Sequence, residues 1–215
     1  MKVKWLGHAS FLITSETGTK IITDPYHVGG GLSYGEIGES ADIVTVSHEH
    51  GDHNNVEAVK GSPQVVKGAG AKDAKGIKFN GVATYHDEAQ GGQRGTNTVF
   101  CFEVDGMKVC HLGDLGHALS DKEVAAVGRV DVLLVPVGGF FTIDPKVATA
   151  VSGKLAPKVI IPMHFKNNKC AFPLAVVDEF TKGKSGVTQP NASEVEFKRG
   201  KLPAATQIVV LKPAL

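Results

Sequence analysis

Short apolar or alternating runs, closed by glycine, dominate the first half of the chain. Lys2–Trp5, Ser10–Thr14, Lys20–Thr23, Ile43–Val46, Gln64–Lys67 and Ile77–His86 each have the length and composition of a strand. Thr98–Val104 and Lys108–Leu112 flank Asp105-Gly106. That pair tolerates positive φ at both turn positions and predicts a tight hairpin.

Beyond Leu112 the pattern changes. Ser120 and Glu123 have capping-box spacing at the head of a helix reaching Val127. Asp144-Pro145 supplies an N-cap and first turn for a helix to Leu155, and a third helix is expected from Pro173 to Lys182, stopped by Gly183. Val132–Val137 and Lys158–Pro162 are continuous apolar runs, as strands buried on both faces should be. Val195–Lys198 and Gln207–Leu211 read as the last strands. No repeat, low-complexity tract or linker divides the chain. The expectation is one layered α/β (α+β) domain over residues 1–215, with mixed sheets covered by helices.

Composition narrows the function. With 42% hydrophobic residues among 215, one domain can bury a sizeable core, and 26 glycines exclude a long helical bundle. Net charge is +1, from 23 basic and 22 acidic residues, so no nucleic-acid partner is expected. Nowhere do eighteen apolar residues run together, which argues against membrane insertion. His8 interrupts the first apolar stretch, unlike a signal peptide. Cys101, Cys110 and Cys170 fit neither a disulfide framework nor a Cys-x-x-Cys metal site. A cytoplasmic protein acting on a small-molecule substrate is the expectation, and a homo-oligomer is compatible with it.

The candidate chemistry begins at Ser47-His48-Glu49-His50-Gly51-Asp52-His53, directly after the apolar run Ile43–Val46. Nitrogen and oxygen donors at such short spacing can surround metal ions, with His48 and His50 on one side, Asp52 and His53 turned to a neighbouring ion, and Gly51 permitting the bend. A two-metal site needs more ligands. His86, Asp114 and His164 each follow another expected strand, in Thr84-Tyr85-His86, Gly113-Asp114-Leu115 and Ile161-Pro162-Met163-His164.

The H-x-H-x-D-H loop, with a later His, Gly-Asp and His in that order, resembles the metallo-β-lactamase superfamily. Trp5–Ser10, Thr23-Asp24-Pro25, His111–His117, Val135–Gly139 and Ile161–Phe165 resemble one branch of it. That branch holds metal-dependent hydrolases related to ascorbate-6-phosphate lactonase and, more distantly, to N-acyl-phosphatidylethanolamine phospholipase D. The resemblance covers about Lys2 to Phe165 and implies a four-layer αβ/βα sandwich with metals at one edge of its two sheets.

It further implies that His48, His50 and His86 hold one divalent ion, Asp52, His53 and His164 a second, and that Asp114 bridges them. Zinc suits such donors best, and manganese, iron or nickel are admitted. The implied reaction is hydrolysis of an ester, lactone or phosphodiester by hydroxide held between the ions, with Asp52 and Asp114 beside it. His117 is a candidate proton donor or a helix-entry histidine without a catalytic role. Asp24 either orients a ligand histidine or forms the turn before Pro25. His8 either supports the site, touching ligands or substrate, or makes a structural hydrogen bond. Arg94, with the amides of the Gly91–Gly95 loop, is a candidate contact for an anionic substrate. His111 alternates with Val109 and reads as a satisfied core histidine. The rival readings are a nuclease of the same superfamily, a non-hydrolytic metal-binding protein and a di-iron redox protein. The di-iron group has Glu where His50 stands.

Overall fold

A computed structural model describes residues 1–215. The strands of the first half are β1 (Lys2–Gly7), β2 (Ser10–Thr14), β3 (Lys20–Thr23), β4 (Ile43–Val46), β5 (Gln64–Lys67), β6 (Gly70–Ala74), β7 (Ile77–Tyr85), β8 (Thr96–Val104) and β9 (Met107–His111). Next come α1 (Asp121–Val127), β10 (Val132–Pro136), α2 (Pro145–Leu155), β11 (Val159–Met163) and α3 (Val177–Thr181). Three short strands end the chain: β12 (Val187–Thr188), β13 (Glu194–Glu196) and β14 (Gln207–Val209).

These strands build two sheets, ordered β13-β1-β2-β3-β4-β5 and β12-β14-β11-β10-β9-β8-β7-β6. In the first sheet, successive residues divide between two cores. Val3, Trp5, Phe11, Ile13, Ile21 and Ile43 enter the main core, while Leu6, Leu12, Ile22, Val44 and Val46 enter a smaller one on the other face. In the second sheet, β10 and β11 pair in parallel and every residue of both is buried. That accounts for their unbroken apolar sequences.

All three helices lie on the second sheet's side. Helix α1 packs on β7, and α2 packs on β10 and α3. The cover of the first sheet is different. It consists of an extended loop carrying Tyr26, Leu32, Tyr34 and Ile37, followed by a single 3-10 turn, Val56–Ala58. Pro25 and the Gly29-Gly30-Gly31 run explain why no α-helix forms there.

Local signals acted as their chemistry requires. Asp105 and Gly106 both take positive φ in the β8–β9 turn. Ser120 and Glu123 form the complete capping box, and the Asp144 carboxylate accepts from the Val147 N–H. Helix α3 is shorter than its sequence suggested. Val176 offers no side-chain cap, and residues before it are drawn into extended contacts, with the Ala175 N–H donating to Gly138 O. Strands β6 and β12 lack an apolar alternation. Pairing makes them strands, β6 along β7 and β12 along β14. No helix is long and apolar enough to cross a membrane.

Candidate metal centre

Six chain reversals meet at one edge of the sheets. The β1–β2 turn brings His8, the end of β3 brings Asp24, and the loop after β4 brings His48, His50, Asp52 and His53. The ends of β7, β9 and β11 bring His86, Asp114 and His164. The loop after β4 bends through a turn closed by the His53 N–H on His50 O. Gly51 is not among the positive-φ glycines, so the flexibility expected of it is not what makes the bend.

The seven residues expected as ligands converge, and Asp114 is the hub. Its Oδ2 lies 3.2 Å from His53 Nε2, 3.2 Å from His86 Nε2, 3.3 Å from His164 Nε2 and 4.0 Å from His48 Nε2. His48 Nε2 is 3.1 Å from His50 Nδ1, and His53 Nε2 is 3.7 Å from Asp52 Oδ2. Donors around a tetrahedral ion at about 2.0–2.2 Å are separated by roughly 3.3–3.6 Å. His48, His50 and His86 form one compact set, while Asp52, His53 and His164, joined by His8, form another.

Two observations test whether a cation fits. His53 Nε2, His164 Nε2 and Asp114 Oδ1 are buried without a hydrogen-bond partner, although the two nitrogens are close to Asp114. Proximity without hydrogen-bond alignment is expected where a shared ion is the partner. The charges agree. Burial alone would raise Asp52 and Asp114, but the hydrogen bond from His8 and the charge of His53 pull Asp52 down, and His164 with His53 hold Asp114 well below the carboxylate range. Burial, reinforced by His53, lowers His48 to about 3, and burial with His164 lowers His8 to about 4. These rings stay neutral and keep a lone pair. His53 goes the other way. Burial would lower it, but Asp114, Asp24 and Asp52 raise it well above the ordinary value. The centre holds surplus negative charge, and the donor set fits divalent ions.

Supporting contacts fix the ring orientations. Asp24 Oδ2 accepts from His53 Nδ1–H at 2.9 Å, and the same carboxylate takes the Ser47 N–H and hydroxyl. Ser47 Oγ lies 2.9 Å from His48 Nδ1, so Asp24 reaches two rings, one directly and one through Ser47. Asn97 Oδ1 accepts from the Asp114 N–H, while its amide donates to Thr84 Oγ1 and Leu112 O. Ser47 and Asn97 were not singled out by sequence, and nothing in their local pattern marks them. Gly113 takes φ +55°, and a Cβ there would collide with Asn97 and Ser47.

Other candidates fare unevenly. His8 is fully buried, its ring lies tilted against that of His164 with centroids 4.1 Å apart, and it contacts Asp52 Oδ2 at 3.2 Å. His117 takes the geometry of its second reading, the helix-entry histidine. Its Nε2 accepts from the Tyr85 N–H and its Nδ1 donates to Ala118 O, so neither nitrogen is free for the centre. The Gly91–Gly95 amides are also not available to a ligand. The Asp87 carboxylate already accepts from the N–H groups of Ala89, Gly91, Gln93 and Arg94. Arg94 itself lines the cleft that contains His48 and His50. His111 is satisfied at both nitrogens, by Ala9 O and the Gly113 N–H.

Residues 2–164 match the model of a beta-lactamase superfamily domain. The chain belongs to the metallo-β-lactamase superfamily. Within the superfamily it is 30% identical to a UPF0173 metal-dependent hydrolase of Pelotomaculum thermopropionicum, over 92% of this chain and 96% of the relative. It is also 30% identical to a UPF0173 metal-dependent hydrolase of Korarchaeum cryptofilum, over 99% and 97%. A crystal structure from Thermotoga maritima, described as a Zn-dependent hydrolase of the metallo-beta-lactamase superfamily, superposes with a TM-score of 0.82 at 41% identity, covering 98% of this chain and 97% of that one. The two-sheet architecture is that of this superfamily, and its relatives are enzymes named for metal-dependent hydrolysis.

Proposed function

We propose that this chain is a hydrolase using two divalent ions, zinc foremost, to cleave an ester, lactone or phosphodiester of a small molecule. His48, His50 and His86 would hold one ion, Asp52, His53 and His164 the other, and Asp114 would be shared. The observation that carries the reading is the position of Asp114 Oδ2, 3.2–3.3 Å from histidines of both sets, beside ring nitrogens that lack partners. When bound, such a pair supplies Lewis acidity and a water that ionises near neutral pH.

The chain's own groups have separable tasks. Asp24 keeps the proton of His53 on Nδ1 and, through Ser47, that of His48 on Nδ1, leaving both Nε2 atoms bare for metal. His50 and Asp52 are the accessible members of the set, the Asp52 side chain being 28% exposed, so substrate approaches on their side. Asp52, held ionised, accepts a hydrogen bond from an attacking water and aligns it. Asp114 is buried and neutralises charge at the centre.

The test is a hydrolase screen of protein reconstituted with zinc or manganese, covering aryl esters, sugar lactones and phosphodiesters. Metal-dependent turnover of one class is expected, with Asp114→Asn lowering both metal occupancy and turnover. Full activity in a folded Asp114→Asn protein contradicts the shared-carboxylate reading.

A further inference from the structure

Arg94 is not one of the converging ligands, yet two clefts meet at it. One, of about 340 Å³, is walled by His48, His50, Thr96 and Thr98. The other, of about 290 Å³, runs beside Phe140, Phe141 and Ile143. The backbone of Arg94 is held beside the centre. Asp87, the residue after His86, binds its backbone N–H at 2.7 Å together with three neighbouring amides. The guanidinium rests 5.6 Å over the Phe141 ring and takes no carboxylate partner, although Glu88 and Asp144 line the same cleft.

Phe140 adds a second unexplained feature. It is 63% exposed and has φ +60°, a left-handed backbone that is costly for a bulky residue. Strain kept at an exposed aromatic gives the core nothing and is typical of binding sites. Its ring packs edge-on against Phe141 at 4.7 Å, Phe141 against Phe172 at 5.5 Å, and Phe172 lies 5.9 Å from His8. This row leads from the surface to the cluster.

We propose that Arg94, Phe140 and Phe141 form the substrate-recognition site. The substrate is a small organic oxyanion, a carboxylate or phosphate, with a flat apolar arm. The oxyanion pairs with the Arg94 guanidinium, the arm lies against Phe140 and Phe141, and the scissile group reaches His48 and His50. The planar guanidinium fork matches an oxyanion, and a cation–π contact with the Phe141 ring orients it without a competing carboxylate. This inference rests on the hydrolase reading above.

The test compares phenyl acetate with carboxyphenyl acetate on zinc-reconstituted protein, alongside calorimetric titration with benzoate. Wild-type protein should favour the carboxylated ester by roughly tenfold or more in kcat/KM. The ratio should fall towards one in Arg94→Ala, recover in part in Arg94→Lys, and be accompanied by a raised KM in Phe140→Ala. Benzoate binding should weaken about tenfold in Arg94→Ala at equal metal content. A preference that is absent, or that survives Arg94→Ala, overturns this inference and leaves the hydrolase reading standing. If neither ester turns over, the hydrolase reading loses its ester branch and the titration decides alone: unchanged benzoate affinity in Arg94→Ala overturns the recognition site.

Discussion

Asp24 Oδ2 and His53 Nδ1 lie 2.9 Å apart, and neither side chain has any exposure to solvent. A buried carboxylate on the far nitrogen fixes the tautomer and turns the other nitrogen inwards. Asp24→Asn keeps the volume but makes one donor compete with the Ser47 and His53 protons. The expected outcome is a metal affinity lower by about 10–100-fold with the fold retained. Competition with a chromophoric chelator measures it, and unchanged affinity would assign Asp24 to the turn before Pro25 alone.

Gly113 holds the loop that presents Asp114. Alanine there meets both a φ of +55° and two side chains already in place, those of Asn97 and Ser47. Gly113→Ala should destabilise the protein by more than about 1 kcal/mol, since αL strain and overpacking add. Thermal denaturation of the metal-free form reads this without interference from metal binding. Gly153, which has open space around it, is the control position.

The ligand loop, His86, Asp114 and His164 were legible because donor type and position after a strand are written locally. Ser47 and Asn97 were not, since any polar residue beside a strand end has the same appearance until the fold brings Asp24 or Asp114 against it. The Gly91–Gly95 loop shows the opposite error. Its amides suggested an anion site, but the carboxylate they bind is the chain's own Asp87. His117 has ligand chemistry, and only the fold reveals that backbone groups occupy both nitrogens. In the fold, buried strands and capped helices were readable, whereas β6 and β12 exist through pairing with neighbours and the loop covering the first sheet through its contacts.

Acid should destabilise the metal-free protein in a defined window. His8 and His48 are lowered to about 4 and about 3, mainly by burial, and His50 is lowered too. For a lowered histidine the stabilising contribution is full above the unfolded value near 6.5 and is lost as pH falls towards the folded one. His53 is raised and opposes this, contributing stability below 6.5, but it is one ring against four, since buried His111 is lowered as well. Urea unfolding of chelator-treated protein at several pH values from 7.5 to 4 should show stability falling with acid. A flat profile would mean that the rings are not held neutral by burial.

The central claim is that two separate ligand sets share Asp114. Elemental analysis after reconstitution and desalting tests it most directly. The account predicts about two divalent ions per wild-type chain and about one in each of His48→Ala and His164→Ala, with the remaining ion in different sites. Spectra of cobalt-substituted variants would distinguish those sites, because a three-histidine set and a set containing Asp52 differ in donors. Wild-type protein that retains no tightly bound ion, or a single ion lost equally in both variants, would contradict the account.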